Sequence, residues 1–381
     1  MEKKSIISSL QIILVLFVTR LLFSTSYQSV LHAGNSIQDI LLSLPINLVG
    51  NFIVAIPLLL LARRYPGHDP IEATSRVAGK GISCVVGFLY FLFFLMNAAI
   101  TAGNVENFFI ATVIPDVESY IIGIFLLAVC LYGVLKGIET IARVGSVVAV
   151  IYIVMIILIC IILIPKMDMG YVKPILYKGI TYLKSFTVMN YNLSVQIVGL
   201  AFMVPFMRPE ASPGKAFTAY NFLSFAILSL LEFAAVTVIG AYGAQQLYPL
   251  QTLASLTSVS DFERLDTIDM VSWILNAIIT TSIYLYLAVM CLLKLGLNKH
   301  RKITAFISTV AVLFAATFVA HRYTMLQEVM IGGTMALVVT AFTIIIPLFV
   351  LLIDLIKGKG APNAQNNQNN QNNQNSQNMQ S

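Results

Sequence analysis

Residues 143–165 read RVGSVVAVIYIVMIILICIILIP, and past Arg143 this run carries no charge. A helix rises about 1.5 Å per residue and the hydrocarbon layer is about 30 Å thick, so some 20 apolar residues suffice to cross it. The apolar positions are continuous and do not alternate with a period of two. That favours a helix, which satisfies its own backbone groups in lipid, over a barrel strand. Similar stretches lie at 10–31, 40–62, 81–104, 118–135, 187–207, 216–239, 268–293, 303–320 and 329–354. Across all 381 residues 58% are hydrophobic and 10% charged, and the mean hydropathy is +0.86. A soluble domain carries about 25% charged residues. The sequence therefore predicts an all-α membrane protein with ten transmembrane helices over residues 10–356. Arg20 interrupts the first stretch and no small-residue cleavage site follows, so this segment is expected to remain as a helix and not to leave as a signal peptide.

Basic residues set the expected orientation. Of the 23 Lys and Arg, 16 fall on the side of the N-terminus, among them Lys3, Arg63, Arg64, Arg143 and Arg301; six fall on the other side and Arg20 lies within a helix. Cytoplasmic loops collect Lys and Arg, which predicts a cytoplasmic N-terminus at 1–9 and a cytoplasmic C-terminal tail. The net charge of +6 is thereby a topology signal and gives no reason to expect a nucleic-acid partner. From 357 to 381 the chain is rich in Gln and Asn, with almost nothing apolar to bury, and is expected to be a disordered tail.

Cys84, Cys130, Cys160 and Cys291 show no paired spacing, and His32, His68, His300 and His321 fall in four different loops. No metal site or disulfide framework is expected. Neither a His-Glu-x-x-His motif nor a phosphate-cradling Gly-rich loop is present, so the chain reads as a non-enzyme without a cofactor.

Polar residues inside the spans are the functional candidates, because an ionisable group at a helix centre costs roughly 2.5–3.5 kcal/mol on insertion. Arg20, midway along the first span, either faces the interior or snorkels to the headgroups. Glu232 reads as the only carboxylate well inside a span, either a partner for Arg20 or proton carrier, or a structural hydrogen-bonding group to a neighbouring helix. Ser24, Thr25, Ser26, Tyr27 and Gln28 form a polar run that predicts an interruption in the first helix. In the sixth span Asn190 pairs with Ser194 and Asn192 with Gln196 at i, i+4, ahead of Gly199 and Pro205, where the ladder is expected to loosen. Asn97, Thr101 and Asn104 share a face of the third span, Ser272, Asn276 and Thr280 a face of the eighth, and Asn47 and Asn51 flank Gly50 in the second. Ser24, Thr25, Ser26, Asn97, Thr101, Asn192, Ser194, Gln196, Gly199 and Asn276 are accordingly predicted to line an outward-facing pocket, with Arg20 and Glu232 as its charges.

Ten spans divide into two sets of five, about 10–165 and 187–354, and an odd number per half inserts the second half upside down. Inverted repeats with broken first helices, here the first and sixth, are a common way to build a midplane site. The architecture expected is a LeuT-like 5+5 bundle.

Several segments resemble the B-subunit family of spore germinant receptors, the endospore germination permeases of the amino acid–polyamine–organocation superfamily. The similar stretches are Gly34 to Asp39, Arg63-Arg64-Tyr65-Pro66-Gly67, Gly137-Ile138-Glu139 with Ala142-Arg143, and Pro249-Leu250 with Ser258 to Asp266, Trp273 and Tyr284-Leu285-Tyr286. The resemblance covers about residues 5–355. It implies a subunit in the spore inner membrane that senses a small nutrient, with an amino acid the first expectation, together with an A subunit and a lipoprotein C subunit. Asp261, Glu263, Arg264 and Asp266 either cap the eighth span or form part of a lid or subunit contact. A secondary amino acid or amine transporter is the alternative, coupled to protons through Glu232 or to sodium through Thr280, Thr281 and Ser282; a germination channel is a third class.

Overall fold

The structure is a computed structural model that describes residues 6–27, 37–177, 179–208, 210–243, 246, 248–257, 265–297, 300–322, 328–329 and 332–357. Apart from one isolated bridge its regular structure is helical. The first half holds α1 (Ser9–Tyr27), α2 (Ile40–Arg64), α3 (Pro70–Ala78), α4 (Lys80–Phe108), α5 (Ser119–Lys136) and α6 (Ile138–Leu163). The second holds α7 (Ile180–Asn192), α8 (Gln196–Met203), α9 (Pro213–Gly243), α10 (Pro249–Ser255), α11 (Leu265–Leu292), α12 (Arg301–His321), α13 (Gly333–Thr340) and α14 (Ile346–Lys357). Among the described residues nine helical segments are long and apolar enough to cross a membrane, and α1 adds the shorter apolar stretch Ser9–Leu22.

The predicted spans map onto these helices, with α7 and α8 together forming the sixth and α13 and α14 the tenth. A π-helical turn, Ala341–Ile345, joins the last two, and within it the Phe342 carbonyl accepts the Tyr90 hydroxyl at 3.2 Å. Two short helices escaped the hydropathy reading. α3 follows the second span and α10 the seventh, matching places in the two sets of five, and crossing topology puts them at opposite ends of the bundle.

α1 runs through the interior. Ile12, Phe17, Val18 and Leu21 are fully buried, and the helix packs against α6, α9 and α11. α4 is sandwiched by α11 and α12. The opposite surfaces of α6 and α12 present Val147, Ile151, Ile161, Phe306, Phe314 and Phe318 outward, as lipid contact requires. Close crossings rest on small residues. A Cβ on Gly103 would lie 2.6 Å from the Ala316 carbonyl of α12, and one on Gly145 would lie 2.9 Å from Ile279 of α11.

The α3 end is tied by charge. Asp69 caps α3 by accepting from the Ile71 and Glu72 amides, both at 3.0 Å, and also meets the Lys294 ammonium at the far end of the eighth span. Lys294 reaches Glu72 at 2.7 Å as well. Arg64 pairs with the buried Asp354 of α14, and Lys357 donates to the Val77 carbonyl at 3.1 Å. Burial, reinforced by the neighbouring Asp354, pushes the Tyr65 phenol up to about 12. The Gly137 turn, with φ +100°, starts α6, whose Glu139 and Arg143 form an exposed i, i+4 pair at 2.5 Å. Both motifs singled out in the sequence thus serve helix ends.

The interruption expected in the first span does not occur by Tyr27. α1 stays helical through Ser24 and Thr25, because the Thr25 hydroxyl turns back onto the Leu21 and Leu22 carbonyls, both at 3.1 Å, and leaves the ladder intact. Gln28, the side chains of Ser26 and Tyr27, the segment 258–264 and the Gln/Asn-rich tail from 358 lie outside the described residues.

Candidate functional site

The sixth span breaks at Leu193–Val195, upstream of the expected Gly199. Gly199 sits inside α8 with only ordinary apolar neighbours, Leu287 and Leu16, and nothing there perturbs the helix. Local side-chain chemistry makes the break. The Ser194 amide turns to the Tyr191 carbonyl at 2.9 Å, while the Ser194 hydroxyl donates to the Asn190 carbonyl at 2.9 Å. Competition of this kind is how Ser and Asn end helices.

Arg20 takes up the oxygens left at this end of α7. Its Nη1 donates to the Asn190 carbonyl at 3.1 Å and its Nη2 to Asn190 Oδ1 at 2.8 Å. The planar guanidinium suits such two-point contact, and a cation at the negative end of a helix is favourable. Asn190 Nδ2 then donates to Ser43 Oγ of α2 at 3.2 Å. Arg20 is 4% exposed, so the snorkelling alternative is set aside.

Beside the guanidinium lies a cavity of about 20 Å³ lined by Arg20, Asn47, Asn51, Asn190, Asn221 and Ser224. It has room for roughly one water. The Asn51 amide donates to Asn221 Oδ1 at 3.1 Å, Asn221 donates to the Leu48 carbonyl at 3.0 Å, and Ser224 lies beside the Tyr220 phenol. On the other side of Arg20, Tyr220 donates to Gln196 Oε1 at 3.5 Å, and the Tyr284 hydroxyl lies by Thr19 and Gln196. Glu232 is buried nearby with Oε1 unpartnered and attracts Arg20 through space without direct contact.

The predicted residues do not all meet at one place. Arg20, Ser194 and Gln196 converge on the α7–α8 break. Asn192 points to the start of α13, donating to the Gly332 carbonyl at 3.0 Å. Asn97, Thr101 and Asn276 are engaged along their own helices: Asn97 donates to Phe93 O and Thr101 to Asn97 O, both at 2.8 Å, and Asn276 Oδ1 accepts from Thr280 at 3.2 Å. Ser24 is buried with its hydroxyl unpartnered, and Thr25 lines a separate small cavity with Asp269 near α10. The outward-facing pocket expected from these residues is in this arrangement a closed polar centre.

A family model described as spore germination protein matches residues 39–324. The chain belongs to that family. A curated relative, spore germination protein KB of Bacillus subtilis (strain 168), is 24% identical over 301 residues, 77% of this chain and 81% of that one. Among solved structures this spore germination protein is similar to MhsT in complex with L-phenylalanine, with a TM-score of 0.59, 15% identity and coverage of 93% of this chain and 99% of the other. It also resembles an outward-open Na+-coupled sialic acid symporter (TM-score 0.63, 11% identity, 88% and 77% covered) and Mhp1 in a closed conformation (0.58, 12%, 90% and 79%). At these identities the likeness establishes the fold, a LeuT-like helical bundle.

Sequence reasoning missed several buried groups of this germination protein. Glu232 shares its burial with Glu106, Asp269 and Asp354, all within spans, so it is not the only intramembrane carboxylate. Glu106 lies beyond the predicted end of the third span at 104 because α4 continues to Phe108, and Asp269 lies one residue inside the predicted start of the eighth span at 268. Asp266, in the charged run before the eighth span, bonds locally, its Oδ1 accepting the Thr267 amide at 2.8 Å.

Proposed function

We propose that this chain is the transmembrane B subunit of a nutrient germinant receptor in the spore inner membrane, with both termini cytoplasmic. It takes a small nutrient, an amino acid by expectation, into a pocket that opens around the α7–α8 break from the α10 face. The observation that carries this reading, given family membership, is the Arg20–Asn190 contact: a buried cation at a helix break, bordering a cavity of amides. Such a centre offers charge and hydrogen bonds to a zwitterion, while its present volume of about 20 Å³ holds no amino acid. Binding therefore requires rearrangement, and a ligand that binds only the open form shifts the population toward it. The A and lipoprotein C subunits are the partners that would read the shift.

Spores carrying Asn192→Leu, Gln196→Leu or Ser24→Leu test the pocket. Each substitution is expected to raise the nutrient concentration needed for germination while protein persists in the membrane. An unchanged dose response in all three places the pocket elsewhere.

Likeness to ion-coupled symporters favours one second reading, a secondary transporter with Glu232 as proton carrier or Thr280, Thr281 and Ser282 near a sodium ion. Reconstituted protein alone would then accumulate labelled amino acid against a gradient. A sensor would not.

A further inference from the structure

At the α10 end of the bundle, apart from the Arg20 centre, three aromatic rings enclose a small space. Phe108 of α4 stands 4.9 Å from Tyr248 and 4.7 Å from Trp273 of α11, and Tyr248 is 5.9 Å from Trp273 between centroids. The cavity they bound, of about 10 Å³, is also lined by Thr25, Gln251 and the carboxylate of Asp269. Asp269 is 3% exposed, and its Oδ1 has no hydrogen-bond partner. Leaving such an oxygen unpaired among aromatic rings is costly, so the site calls for a donor.

We propose that this cage receives a primary ammonium group, with Asp269 Oδ1 accepting a hydrogen bond from the cation and the adjoining rings of Phe108, Tyr248 and Trp273 stabilising its charge. A cation within about 6 Å of an aromatic centroid is attracted by the ring quadrupole, most strongly over Trp. The Thr25 hydroxyl commits its proton to the Leu21 and Leu22 carbonyls at 3.1 Å, and the buried Tyr152 phenol lies beside it, so at most one Thr25 lone pair remains to accept a second ammonium hydrogen. Among the described residues, the Lys166 ammonium is engaged with the Leu256 carbonyl at 2.5 Å. Size selects the headgroup: the space accommodates about one water-sized group, so –NH3+ fits and a quaternary ammonium does not. Gln251 and Met270, which also line the cavity, are half-buried.

The chain has a single tryptophan, Trp273, so intrinsic fluorescence reports on the cage. Purified full-length protein in nanodiscs is titrated with ethylammonium chloride, with sodium and tetramethylammonium chloride as controls at equal ionic strength. The expected result is a saturable change in Trp273 emission with ethylammonium alone, its half-saturating concentration raised about tenfold or more by Asp269→Asn, as loss of a charge-assisted hydrogen bond implies. Phe108→Leu, which keeps the apolar volume, should weaken the response less. Both variants are checked for monodisperse elution. No saturable change, an equal response to tetramethylammonium, or an unaltered response in both variants overturns the proposal. Ethylammonium has no carboxylate and does not need the Arg20 centre. Failure here with nutrient responses intact removes the cage alone, and the converse removes the central pocket.

Discussion

Arg20 of α1 holds both oxygens of Asn190, backbone and side chain, at the point where the sixth span loses its helical ladder. This one pair couples the innermost helix to the broken one. Movement of α8 relative to α7 must therefore be felt by the guanidinium, and a ligand that competes for the guanidinium must be felt by the break.

Arg20→Lys keeps the charge but cannot span two oxygens as a fork does. We expect the nutrient concentration for half-maximal germination to rise about tenfold, in line with one lost charge-assisted hydrogen bond. Arg20→Leu should raise it further. Dose–response curves scored against protein level by immunoblot check both; an unaltered Arg20→Leu response would make the residue dispensable.

Lys294 bridges Asp69 and Glu72 at the α3 end, and Asp69 also caps α3. Asp69→Ala loses both the cap and the ion pair, whereas Asp69→Asn retains an acceptor for the cap. Thermal unfolding in detergent should rank Ala well below Asn, with a difference of about 1 kcal/mol from the cap. Lys294→Met, which leaves a buried carboxylate unpaired, should cost about 3 kcal/mol or more.

Gly103→Ala drives a methyl to 2.6 Å from the Ala316 carbonyl, and a backbone atom cannot swing aside. We expect destabilisation of about 1–3 kcal/mol. Gly50→Ala, whose added carbon meets nothing within 4 Å, is the control and should unfold at the wild-type temperature or above.

The spans are legible because the solvent is lipid: continuous apolar runs carry over into nine long apolar helical segments among the described residues and an interior α1. α3 was missed although Asp69-Pro70 is a capping signal, since a search by hydropathy does not register a short amphipathic helix with half its surface polar. Of the loosening expected at Gly199 and Pro205, the helix gives way only at Pro205, in the 3-10 turn Val204–Phe206, and the sixth span breaks instead at Leu193–Val195. Glycine in an apolar crossing is tolerated as helix, while Ser194 and Asn190 actively compete for backbone bonds. The candidate site was legible as residue types but not as partnerships. Arg20, Ser194 and Gln196 meet because α1, α7 and α8 cross there, whereas the side-chain hydrogen bonds of Asn97 and Asn276 run along their own helices, which no spacing rule distinguishes.

The central claim is that the polar centre at the α7–α8 break is where the nutrient binds. The most direct measurement is the thermal shift of the purified full-length chain against a panel of the twenty L-amino acids, repeated with Gln196→Leu. A ligand that binds the folded state alone raises stability as its concentration exceeds Kd. The account predicts that at least one amino acid raises the melting temperature in a saturable way and that Gln196→Leu, itself folded, loses this rise. Equal stabilisation of both proteins would contradict it.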